Sequence, residues 1–114
     1  MISEFELVSQ LYSFMQAIPV LWSKDALKRL YAEGETHTEQ RGPENNFLQF
    51  EFEVLEDGVK DGGAYLHVCV SVTDPSRPNG QRGSSTTPLS TSFLFFESGE
   101  VDMPLAREIY ERPF

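Results

Sequence analysis

Glu51, Glu53, His67 and Cys69 are the residues of this chain whose types and spacing could do chemistry. They stand at alternate positions of two runs, 48–54 and 66–72, in which Leu48, Phe50, Phe52 and Val54, then Leu66, Val68, Val70 and Val72, fill the positions between. Period-two alternation places residues i and i+2 on one side of a strand, so these polar groups should share one face of a hairpin and the apolar residues the other. With the connection centred on residue 60, Glu53 is expected opposite His67 and Glu51 opposite Cys69. A carboxylate, an imidazole and a thiol so placed are the components of an acid/base or nucleophilic site. Electrostatics argues against the nucleophile, because carboxylates beside a thiol favour its uncharged form. The pairs are therefore expected to be ordinary cross-strand contacts worth a few tenths of a kcal/mol. No catalytic residue is assigned, and the protein is not expected to be an enzyme.

Two other groupings are weaker. Glu35, His37 and Glu39 alternate in a polar segment, without the paired-cysteine or His-Glu-x-x-His spacing of a metal site. Gly80 to Ser85, GQRGSS, has the glycines of a phosphate cradle but neither the Gly-Lys-Ser/Thr ending nor a following helix. No metal and no cofactor is expected. Arg77 and Arg82 stand out as the cations of a loop in an acidic protein, available to acidic groups on a partner.

Charge gives the broadest functional constraint. The chain carries 18 acidic against 9 basic residues, a formal net charge of −9. The excess is densest in residues 47–73, where Glu51, Glu53, Glu56, Asp57 and Asp61 are opposed by Lys60 alone. Nucleic acids and anionic membranes are bound by displacing counterions with Lys and Arg, so neither is an expected partner, whereas a basic protein surface is. Cys69 is the single cysteine, which excludes an internal disulfide framework. The start, MISEFELVSQ, is acidic where a signal peptide is basic, and no apolar run approaches the roughly 18 residues of a membrane span. A cytoplasmic protein is expected.

The elements that must position these residues can be taken in order. Ser3 and Glu6 have capping-box spacing, and Leu7, Val8, Leu11, Phe14, Met15 and Ile18 then form one helical stripe, closed near residue 17 or 18 by Pro19. Ser23 caps a second helix running to Gly34, with Leu27, Leu30 and Tyr31 as its buried face; a strand through Leu27, Arg29 and Tyr31 is the alternative. Residues 34–46 read as a loop or frayed hairpin. Asp57-Gly58 and Gly62-Gly63 supply turn dipeptides between the central strands. Residues 74–89, with three prolines and no apolar anchor between Pro75 and Pro88, are expected to be a long mobile loop. Strands at 91–97 and 101–103 follow, then a helix with Pro104 at its first position, Leu105, Ala106, Ile109 and Tyr110 inward, and an end at Pro113.

A chain of 114 residues fits one domain, residues 1–114. The expected fold is α+β: one or two N-terminal helices on an antiparallel sheet of about four strands, with a short C-terminal helix. The functional expectation is a small acidic binding protein that occludes a basic protein partner, of the type represented by immunity proteins that neutralise bacterial toxins. Glu51, Glu53, Glu56, Asp57, Asp61, Arg77 and Arg82 are its candidate contact residues. The alternatives are a small-ligand-binding domain or enzyme that uses the polar sheet face, and a structural subunit of a homo-oligomer; the sequence does not set the oligomeric state.

Overall fold

A computed structural model describes residues 2–61 and 63–111. Helices α1 (Glu4–Leu21) and α2 (Lys24–Glu33) precede a five-stranded meander, β1 (His37–Arg41), β2 (Leu48–Lys60), β3 (Gly63–Thr73), β4 (Leu89–Phe96) and β5 (Val101–Asp102), and α3 (Ala106–Glu111) follows. Every neighbouring pair is antiparallel, in the order β1-β2-β3-β4-β5. The α+β class is as expected from the sequence, with one strand more.

That extra strand is β1, in a segment read from the sequence as a loop or frayed hairpin. Its polar residues His37, Glu39 and Arg41 pair with Phe52, Phe50 and Leu48. No apolar alternation announces it, because its inward side chains lie at the rim of the core, where the Arg41 guanidinium covers the rings of Phe14 and Phe50 at 5.2 and 5.1 Å.

The N-terminal stripe behaves as its periodicity predicts: Leu7, Val8, Leu11, Phe14, Met15 and Ile18 are all buried. Ser3 Oγ accepts from the Glu6 amide at 3.1 Å. Pro19 does not end the helix, which continues to Leu21 and closes with Trp22 N–H donating to Ile18 C=O at 2.8 Å. The missing proline N–H leaves one bond unmade in the last turn. Continuing seats buried Ile18 and brings Trp22 edge-on to Phe52, centroids 5.0 Å apart and planes at 85°. Ser23 caps α2 by accepting from Ala26 N–H, and Gly34 ends it at φ 66°. Of the face expected to be buried, Leu27 is fully so, Leu30 partly, and Tyr31 is exposed.

The inner sheet face is the one read from the sequence. Phe50, Phe52, Val54, Leu66, Val68, Val70 and Val72 are buried, with Leu48 packed at the margin. Leu89, Phe93 and Phe95 of β4 complete it. Among the described side chains of α3, Ile109 is buried and Tyr110 exposed, as is Leu105 just before it; the helix's expected end at Pro113 lies outside the described residues.

Candidate protein-binding surface

The helices pack on the inner face, and the polar face of the sheet is left open. The pairing there differs from the expected register: Glu53 lies opposite Cys69 and Glu51 opposite Ser71, while His67 faces Glu56. The reason is at the hairpin end of β2 and within the strand at Leu55. The hairpin closes at Lys60 and Gly63, so Asp57-Gly58 is not a turn but part of the strand. Between Val54 and Glu56 the register slips by one residue at Leu55.

This bulge decides which side chains share the open face. Strict alternation after Glu51 and Glu53 would bring Leu55 to that face and turn Glu56 away. With one residue inserted, Glu56 joins Glu51 and Glu53 in a single acidic row. It is held there by the Tyr65 hydroxyl, which donates to Glu56 Oε1 at 2.5 Å. The carboxylate raises the Tyr65 pKa, first through that hydrogen bond and then with desolvation. Gly58 is needed opposite, since a Cβ there would meet Tyr65 Oη at 2.8 Å. Asp57, expected among the contact residues, is exposed but pairs with buried Leu66 and so lies on the other side of the overhanging strand end, away from the row; Asp61 is exposed at the hairpin tip.

The neighbouring strands contribute His67, Cys69 and Ser71, then Ser90 and Ser92, through the pairs Cys69 with Ser92 and Ser71 with Ser90. Burial pushes the Cys69 thiol pKa up, and the charge of Glu53 pushes it further. The thiol is held in its less reactive, protonated form. A shallow trough of about 190 Å³ runs over Glu51, Glu53, Cys69 and Ser71. Among the described residues, no group of three or more His, Cys, Asp or Glu side chains is disposed to hold a metal ion. Among the described residues of strands β2, β3 and β4, the one Lys or Arg is Lys60, which lies 5.2 Å from the Tyr65 ring at the hairpin tip.

The other predicted groupings resolve into structural contacts. Glu35 is exposed, whereas His37 and Glu39 join at 3.0 Å and Arg41 closes on Glu39 at 3.0 Å. The hydrogen bond from His37, followed by the Arg41 contacts, outweighs burial and lowers the Glu39 pKa.

The 74–88 segment is a loop, as expected, but one tied to the rest of the chain. Its anchors are polar rather than apolar, and residues 89 onward already belong to β4. Buried Asp74 donates its N–H to Gly83 C=O at 2.7 Å and accepts from Ser76 through Oδ1. Gly83 in turn donates to Thr87 C=O at 2.7 Å. Arg77 donates to the Ile2 carbonyl at 3.0 Å. Arg82 donates to the Ile109 and Tyr110 carbonyls and lies 3.6 Å from Glu4. The two arginines thus sit against the chain's own termini of α1 and α3, away from the acidic row.

The chain matches no protein-family model, no curated protein and no solved structure. No helix is long and apolar enough to cross a membrane among the described residues. The features that sequence reasoning missed are Tyr65 as the support of Glu56 and the serines Ser90 and Ser92. The serines were signalled by their alternation with Leu89, Thr91 and Phe93, hidden inside a stretch dominated by Ser, Thr and Pro.

Proposed function

We propose that this protein is a non-catalytic binding protein that occludes a basic surface of a partner protein. The observation that carries the reading is the row Glu51, Glu53 and Glu56 on a sheet face that no helix covers, with Asp61 adding a further carboxylate at the hairpin tip. Carboxylates along one strand repel one another, and that repulsion is relieved when a cationic surface docks. Serine and threonine neighbours on β3 and β4 are small and can hydrogen-bond at such an interface without holding it apart. Neutralisation of a toxin by an immunity-type protein is one role that fits this chemistry, and a cytoplasmic setting suits it. Arg77 and Arg82, engaged within the chain, are not assigned to the contact.

Capture from native cell extract followed by association kinetics tests the reading. The captured partner should be basic, and the variant Glu51→Lys, Glu53→Lys, Asp61→Lys should associate about 10- to 1,000-fold more slowly at low salt, because interface charges act chiefly on encounter. Rising salt should slow the wild type in the same direction. An acidic partner, or an unchanged association rate, refutes it.

A small-ligand reading has its own support in a different place. An apolar groove of about 430 Å³ between α1 and α3 is lined by Phe5, Val8, Tyr12 and Tyr110. It shares no residue with the acidic row.

A further inference from the structure

The two edges of the sheet are treated differently. On β1, inward-pointing His37, Glu39 and Arg41 guard the edge, a common device against unwanted strand pairing. On β4, which spans Leu89–Phe96, the short strand β5 pairs only with Leu94 and Phe95. The chain then leaves the edge at Met103 and Pro104 to enter α3. Leu89 to Phe93 have no ladder partner on that side among the described residues.

The hydrogen-bond phase shows which groups are presented. Phe96 N–H reaches outward to Glu100 C=O at 2.9 Å, while Glu97 N–H reaches inward to Ala64 C=O at 2.8 Å. Backbone direction alternates along an antiparallel strand. Ser92 and Ser90 therefore turn N–H and C=O away from β3, as Phe96 does. Neither position carries a proline, a lysine or a bulge that would close the edge. Beside it lies a notch of about 360 Å³ bounded by Ser92, His67, Asp102, Pro104 and Glu108, with two carboxylates and no Lys or Arg in its lining.

We propose that the β4 edge is a strand-addition site for an extended, lysine- or arginine-bearing segment of another protein. The inference rests on the reading of a basic partner and specifies how one part of that partner docks. A segment of five or six residues, roughly 17 to 20 Å long, spans Leu89 to Phe93. Running antiparallel to β4, it exchanges main-chain hydrogen bonds with Ser90 and Ser92. Residues directly opposite those serines put their side chains on the open face. A basic residue opposite Ser92 lies two positions along from Asp102 on the same line, within ion-pair reach of it. The rows then extend outward from Glu53, Cys69 and Ser92, and from Glu51, Ser71 and Ser90, to the added strand. A second copy of this chain fits less well, since the β4 edge it would add, Leu89–Phe96, carries no Lys or Arg to meet Asp102 and Glu108.

The test uses ¹⁵N-labelled full-length protein and a synthetic seven-residue peptide that alternates lysine with valine. Amide exchange at Ser90 and Ser92 should slow on peptide addition. N-methylation of the lysine amides, which face the serines, should weaken binding at least tenfold. N-methylation of the valine amides, which face solvent, should leave affinity within about threefold, and a glutamate-for-lysine peptide should not bind. Equal loss from the two methylations, unchanged exchange at Ser90 and Ser92, or no binding of the lysine peptide overturns the proposal. Protection of those amides in a peptide-free dimer overturns it in favour of a second copy. Shifts confined to Glu51, Glu53 and Glu56 sink strand addition alone; an unchanged association rate of the charge-reversed triple variant sinks the basic-partner reading itself.

Discussion

Replacing Gly83 by alanine tests whether the 74–88 segment is docked on α1, as its polar anchors require. Gly83 has φ +92°, and a Cβ built there would lie 2.2 Å from Leu7 Cδ2. Leu7 is itself fully buried in α1, so it cannot swing aside into solvent. Two costs combine: an L residue in the left-handed region loses about 1–2 kcal/mol, and overpacking against a fixed core side chain adds about 1–3 kcal/mol. Gly80 provides the control within the same segment, since its φ is +89° and a Cβ there meets nothing within 4 Å. Gly83→Ala should therefore lose about 2–5 kcal/mol and Gly80→Ala about 1–2 kcal/mol, out of a total stability of order 5–15 kcal/mol. Urea unfolding followed by Trp22 fluorescence measures both, because the single tryptophan packs on Phe52 and His37 and loses that environment on unfolding. With a slope of about 1–3 kcal/mol per M, the two midpoints should differ by roughly 1 M. Losses within about 0.5 kcal/mol of each other would show that Gly83 is not seated on Leu7, and the docked loop would have to be abandoned.

Three further outcomes are expected. Phe52 is 1% exposed and packs against Trp22, Phe14 and His37, so Phe52→Ala should cost about 3–5 kcal/mol in the same urea assay, and a loss below about 1 kcal/mol would mean the inner face is wrongly assigned. Cys69 should react slowly with a thiol reagent near pH 8 in the native state, and Glu53→Gln should quicken it by removing one of the two causes that raise its pKa; an unaltered rate would discount the Glu53 charge. The lowered pKa of Glu39 stabilises the fold above its ordinary value of 4.5, and that stability is lost as pH falls through the folded-state value. Glu39→Gln should accordingly cost less than about 1 kcal/mol at pH 7, since the pair is over a third exposed, and the cost should vanish in acid; a pH-independent difference contradicts the ion-pair origin.

Local patterning determined a large part of this protein. The stripe from Leu7 to Ile18, the caps at Ser3 and Ser23, the left-handed Gly34 and the alternation on β2 and β3 are each decided by how neighbouring residues partition between water and core, or by one residue's backbone preference. Such preferences are written into composition at short range, and so are the negative charge and the identity of the acidic residues.

Tertiary structure alone decided what depends on partners far along the chain. Whether Glu56 joins Glu51 and Glu53 turns on a bulge at Leu55, supported by a hydroxyl from Tyr65 and by the space at Gly58. A one-residue slip exchanges the two faces, and period-two patterning is blind to where it occurs. β1 is held by an arginine lying over Phe14 and Phe50, a stabilisation no hydropathy pattern records. The 74–88 segment lacks apolar anchors, yet Arg77 and Arg82 tie it to carbonyls 75 residues before and 27 and 28 residues after them. The open β4 edge arises because β5 stops at Asp102, and its length is set by where Pro104 and buried Ile109 draw the chain back to the helical layer. These are pairwise interactions between distant residues; their energies exist only once the chain has brought the partners together.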